Sequence, residues 1–119
     1  MAKPQHWNVI LTDNFVAWLK QQNNAIQEDV TAALLLLKTV GPELSRPYAD
    51  TLKGSQYPNM KELRIQHQGK PLRAFFAFDS LRQAIVLCAG DKSNDKQFYK
   101  RMIKQADAEF SAYLRTLEK

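Results

Sequence analysis

The chain has 119 residues, 45% hydrophobic and 24% charged, which is the composition of one ordinary globular domain, read here as a single domain over residues 1–119. One cysteine, Cys88, excludes an intrachain disulfide and a cysteine-rich zinc site; no apolar run is long enough to span a bilayer and no export signal is visible, so the expected location is the cytoplasm, with no membrane partner. The net charge of +5 is concentrated, because residues 53–73 hold Lys53, Lys61, Arg64, Lys70 and Arg73 against Glu62 alone, and such a segment either meets a polyanion or is a solvated basic face.

In chain order, Trp7 to Leu11 reads as a short buried strand. Asp13 is the expected N-cap of a helix whose stripe is Phe15, Val16, Trp18 and Leu19. After Asn23-Asn24, the residues Ile26, Val30, Ala33, Leu34, Leu37 and Val40 recur at helical spacing until Gly41-Pro42, so the two helices form a hairpin. Leu35 and Leu36 lie off that stripe, either as extra core or as a docking place for a partner chain. From Pro42 to Asn59 the chain reads as a long loop with room for one helical turn.

The period then changes to two. Leu63 and Ile65 alternate with Glu62, Arg64 and Gln66, and Leu72, Ala74 and Phe76 alternate with Arg73 and Phe75. The run from Ala84 to Ala89 is continuously apolar, as a central strand requires. A last helix carries Phe98, Met102, Ile103, Ala106, Phe110, Tyr113, Leu114 and Leu117. The expected class is α+β, a small sheet of about four strands with an N-terminal helical hairpin and a C-terminal helix.

A two-residue turn at Gln68-Gly69 sets Arg64 opposite Arg73, and the apolar pattern demands the same register, since a one-residue slip would drive both arginines into the core. Like charges opposed across a ladder cost a few tenths to about 1 kcal/mol, so something must offset them. Glu62 bridging the two, or the arginine side chains splaying into water, is one answer. An anion clasped between two planar guanidinium forks is the other. Lys53 and Lys61 flank the pair and Lys92 follows the third strand of the meander; Lys61, Glu62, Lys92 and Tyr99 are the candidate proton carriers. His6 and His67 read as isolated surface or turn histidines, and no metal-ligating cluster stands out.

These residues resemble a known family. Lys61-Glu62-Leu63-Arg64-Ile65, then Arg73 with Phe75-Phe76-Ala77-Phe78, then Ile85-Val86-Leu87 running into Gly90-Asp91-Lys92, with Phe98-Tyr99 and Ala106-Asp107 beyond, are similar in order and spacing to the RelE/HigB-like toxins of type II toxin–antitoxin modules, in the phage-derived HigB-like branch. The resemblance implies a microbial-RNase-like fold whose open sheet face binds RNA. It also implies metal-independent, cofactor-free, ribosome-dependent cleavage of mRNA by 2′-OH attack on the scissile phosphate, and neutralisation by a cognate helix-turn-helix antitoxin. By that resemblance Arg64, Arg73 and Lys92 are the catalytic candidates and Tyr99 a base-stacking or proton-relay residue; with Lys53, Lys61 and Glu62 beside the arginine pair, Lys53, Lys61, Glu62 and Tyr99 are the expected RNA contacts. The same superfamily includes ParE-type gyrase-inhibiting toxins, and a non-catalytic nucleic-acid-binding module is the third alternative.

Overall fold

The computed structural model describes residues 7–118. The strands are β1 (Asn8–Leu11), β2 (Ala49–Thr51), β3 (Lys61–His67), β4 (Lys70–Phe78) and β5 (Gln83–Asp91), and the helices α1 (Asp13–Lys20), α2 (Asn24–Val40) and α3 (Phe98–Thr116). They form one five-stranded sheet in the order β1-β5-β4-β3-β2, with β1 parallel to β5 and every other pairing antiparallel.

The helical hairpin follows its sequence signals with one correction at its start. Thr12, not Asp13, caps α1: its Oγ1 accepts from the Phe15 N–H at 3.2 Å and donates to the Leu87 carbonyl at 2.9 Å, fastening the helix to β5. Asp13 instead begins the first turn, where its charge suits the positive end of the helix dipole. Asn23 caps α2 by accepting from the Ile26 N–H at 2.8 Å. The helix ends at Gly41, whose φ of 69° and contact with the Trp7 indole leave no room for a side chain.

The β3–β4 hairpin turns at Gln68-Gly69, both with positive φ as a type I′ turn requires, and His67 pairs with Lys70. Leu63, Ile65, Leu72, Ala74 and Phe76 pack on Phe15, Ile26, Val30 and Leu37 of the helical hairpin. The opposite face, expected to be open, is covered: Phe75, Ala77, Ile85, Leu87 and Cys88 pack under Phe98, Met102, Ile103, Ala106 and Phe110 of α3. The apolar run Ala84–Ala89 in β5 demands cover on both sides. A bulge helps, because Phe75 pairs with Cys88 and Phe76 with Val86, leaving Leu87 as an extra residue so that Leu87 and Cys88 both belong to the α3 side.

Strand β2 lies inside the stretch expected to be a loop. Three residues are too few to show a period, yet Ala49 is fully buried opposite Leu63 and the strand closes the sheet beside β3. Of the two off-stripe leucines, Leu36 packs on the core whereas Leu35 is 62% exposed. No helix among the described residues is long and apolar enough to cross a membrane.

Candidate functional site

The register that opposes Arg64 and Arg73 also sets Glu62 beside Asp50 of β2 and Phe75 of β4. Two like-charged pairs therefore sit two residues apart on β3, and they neutralise each other diagonally. Glu62 is buried to 3% exposure; its Oε2 accepts from Arg64 Nε at 3.0 Å and its Oε1 lies 3.5 Å from Arg73 Nε. Arg64 Nη2 also reaches Asp50 Oδ2 at 3.4 Å. The Arg46 guanidinium bonded to Asp50, helped by the Thr51 N–H and Arg64, holds the Asp50 carboxyl below the usual range against the desolvation that opposes it.

Glu62 thus fills the space between the guanidinium groups that an outside anion was one candidate to occupy. Arg73 is not on an open surface, being 9% exposed, because α3 lies over its strand; its Nη1 donates to the Leu72 carbonyl at 3.0 Å, and its buried Nε has no hydrogen-bond acceptor. Arg64, with 30% of its side chain exposed, is the accessible member of the pair.

Tyr99, in the first turn of α3, closes the cluster. Its hydroxyl donates to Glu62 Oε1 at 2.6 Å. Burial raises its pKa most, followed by the hydrogen bond and negative charge of Glu62, with Arg73 acting in the opposite direction. Lys92 follows β5; its N–H donates to the Pro71 carbonyl at 3.1 Å and its Nζ stands 5.4 Å from the Tyr99 ring centre. Lys92, Tyr99, Glu62, Arg64 and Arg73 form one continuous chain of contacts.

Lys53 joins from the other side of Tyr99, lining a groove of about 480 Å³ with Gly54, Tyr99, Lys100, Lys104 and Asp107. Its loop is strapped to α3, since Asp107 accepts from the Ser55 hydroxyl at 2.5 Å and the Gln56 N–H at 3.0 Å. Lys61 stands apart. Its Nζ donates to Thr51 Oγ1 at 2.9 Å, across the ladder on the edge strand β2.

Among the other candidates, His67 is buried beside its turn, with Nδ1 2.5 Å from Asp29 Oδ2, while His6 lies outside the described residues. Cys88 is buried and desolvation pushes its thiol up to about 12, which makes it a poor nucleophile. Tyr113 is anchored at the far end of α3, donating to Asp79 and accepting from Gln83; desolvation and Asp79 push it up to about 12. No group of three or more His, Cys, Asp or Glu among the described residues is placed to hold a metal ion.

Sequence reasoning missed Asp50, hidden in a strand too short to read, and Lys100 and Lys104, spaced i,i+4 on the polar side of a helix read for its apolar stripe. That spacing was the available signal.

Comparison with known proteins gives a consistent placement. The family model for phage-derived protein Gp49-like matches residues 17–111. HigB2 and HigB3 of Mycobacterium tuberculosis, both named as toxins, are 44% identical over 104 residues and 43% identical over 100 residues. The first match spans 86% of this chain and about half (52%) of HigB2; the second spans 83% of this chain and 86% of HigB3. A mutant of the E. coli toxin RelE in the free state superposes with a TM-score of 0.58 at 9% identity, covering 83% of this chain and 97% of that one, a likeness of fold. With a buried carboxylate between two cross-strand arginines at the head of α3 in a RelE-like fold, this chain belongs to the Gp49-like family of phage-derived proteins, among the HigB-like toxin relatives.

Proposed function

We propose that this protein is the toxin of a type II toxin–antitoxin pair and acts as a metal-independent, ribosome-dependent endoribonuclease on mRNA, restrained by a cognate helix-turn-helix antitoxin. The observation that carries the reading is the Arg64–Glu62–Arg73 bridge with Tyr99 and Lys92 in contact on one side. In this reading Arg64 and Lys92 are the cations that reach a phosphate, and Arg73 is a positioning residue that fixes Glu62. The 2′-oxygen attacks phosphorus, the bond to the 5′-oxygen breaks, and a 2′,3′-cyclic phosphate forms. Fixed cations stabilise the equatorial charge that develops, often the largest single contribution to such a rate. Tyr99, held by Glu62 and protonated at neutral pH, donates to the leaving 5′-oxygen, and water takes the proton that the 2′-hydroxyl releases.

The test is induced expression of the wild type, Arg64→Ala and Lys92→Ala with 5′-end mapping of cellular transcripts. Expected are growth arrest with new 5′ ends inside translated messages for the wild type, and neither for the variants. Wild-type arrest with intact messages refutes the nuclease reading.

One observation favours a second reading. Glu62 already lies in ion-pair contact with both guanidinium groups, and a gyrase-inhibiting toxin needs no phosphate grip. Inhibited supercoiling with unbroken transcripts selects it.

A further inference from the structure

Beside the arginine pair lies a cleft of about 520 Å³ that the proposed chemistry does not use. It is lined by Asp29 and Ala33 of α2, Pro47 and Tyr48 ahead of β2, Arg64, Ile65 and Gln66 of β3, and Arg73. The cleft exists because β2 is short. Its last pairing is Ala49 with Leu63, so β3 runs on past it with no described strand beside residues 65–67 on that edge. The Tyr48 carbonyl accepts from the Arg64 N–H at 2.8 Å, which fixes the tyrosine one step from the guanidinium. Tyr48 is 53% exposed, although Leu44 and Ala49 on either side of it in the chain are packed into the core.

We propose that this cleft is a nucleobase subsite: Tyr48 is the platform on which a base of the bound RNA stacks, and Gln66 reads the base's hydrogen-bonding edge, with the adjoining phosphate at Arg64. The inference rests on the nuclease reading and adds to it the residues that choose the sequence. Four features support it. A volume of several hundred cubic ångströms suits a small-molecule-sized ligand group. Single-stranded RNA is recognised by stacking on aromatic rings and by hydrogen bonds to splayed base edges. The exposed Gln66 amide supplies a donor and an acceptor together, as reading a base edge requires. Arg73 lines the same cleft as Arg64, so two cations border the space where the base and its phosphate would lie. Asp29 is held in place on the opposite wall by His67 Nδ1, 2.5 Å from its Oδ2.

Stacking is worth roughly 1–3 kcal/mol per base, which converts to about a 5- to 150-fold change in affinity. The experiment is fluorescence-anisotropy titration of the full chain with labelled single-stranded hexaribonucleotides that differ at one central base and carry 2′-methoxy groups to prevent cleavage. Tyr48→Ala is expected to weaken binding by at least about 5-fold and Tyr48→Phe to keep it; Gln66→Ala is expected to flatten the preference among the four central bases with a smaller loss of affinity. Thermal melts of each variant check that the fold is retained. Unchanged affinity in Tyr48→Ala, or an equal loss in Tyr48→Phe, overturns the subsite. So does a wild type that binds none of the hexamers, or a cleft filled instead by a protein partner that the hexamers fail to displace. Transcript mapping with the wild type judges the nuclease reading separately, so the subsite can fail while cleavage stands.

Discussion

Replacing the two opposed arginines one at a time and then together decides what holds the centre of this site. Were the Arg64–Arg73 repulsion unrelieved, each single alanine would stabilise the fold by up to about 1 kcal/mol, the cost of like charges facing each other on a ladder. The structure requires the opposite sign. Arg73→Ala deletes an ion pair 3.5 Å from the buried Glu62 carboxylate and a 3.0 Å hydrogen bond to the Leu72 carbonyl. Breaking a fully buried pair costs about 3–5 kcal/mol. Here Glu62 keeps the Tyr99 hydroxyl at 2.6 Å and Arg64 Nε at 3.0 Å, which brings the expected loss to about 2 kcal/mol. Arg64→Ala removes a partner that is 30% exposed, so solvent compensates more and the expected loss is about 1 kcal/mol.

The double variant leaves Glu62 with Tyr99 alone, and a buried carboxylate without a cation is the costly state. The combined loss should therefore exceed the sum of the singles by about 1 kcal/mol, a coupling typical of residues in one network. In a Glu62→Gln background that excess should vanish. Urea unfolding followed by circular dichroism measures all of these. Stabilisation by either single alanine, or additivity of the two in the wild-type background, would refute the bridge.

Other outcomes follow from the same geometry. Tyr113 and Tyr99 have pKa values raised above that of an unfolded tyrosine, so their contribution to stability is complete below about pH 10 and is lost as pH rises through the folded values, about 12 for Tyr113; urea midpoints should decline above about pH 10, less steeply in Tyr113→Phe, and parallel declines would argue against the Asp79 anchor. Gly41→Ala would drive a Cβ into the Trp7 indole at a positive φ, and should cost about 3 kcal/mol in the same unfolding assay. Replacing Lys53, Lys100 and Lys104 together with alanine should flatten the salt dependence of RNA binding, by roughly 0.7 in the log–log slope for each phosphate that is no longer neutralised; an unchanged slope removes the groove beside Tyr99 from the RNA path.

The hairpin was legible because two independent constraints, a turn that needs positive φ and an alternation that forbids a slip, agree on one register. The position of Arg64 opposite Arg73 follows from them, and so does the sharing of one face by Glu62, Arg64, Arg73 and Phe75. What period alone does not carry is the amount of cover each face receives. Phe75 is fully buried on the face that holds the charges, and that burial comes from α3 crossing the sheet. The same crossing turns Arg73 from an expected surface group into a buried one. Strand β2 escaped notice because three residues cannot establish alternation, and with it went Asp50, which shares Arg64 with Glu62. The strap from Asp107 to Ser55 and Gln56 joins residues far apart in the chain, a closeness that no local pattern encodes.

The charge arrangement itself points to function more than to stability. A buried ion pair of this kind is often no more stabilising than apolar side chains of similar volume. Two like-charged rungs side by side are poorer still unless every diagonal interaction is made, so stability alone gives little reason to bury Glu62 among Asp50, Arg64, Arg73 and Tyr99. An anion-handling surface gives one. The buried carboxylate aligns both guanidinium planes before any ligand arrives, which leaves less to order upon binding. Arg64 stays accessible at the mouth, with Lys92 beside Tyr99 and Lys53 across the groove, so the local charge remains positive after Glu62 is counted. Local rules are broken here, by opposed charges and buried ions, and met in the β3–β4 register, the caps of α1 and α2 and the apolar faces around it; a folded sequence tends to collect such exceptions where a site has to be held ready.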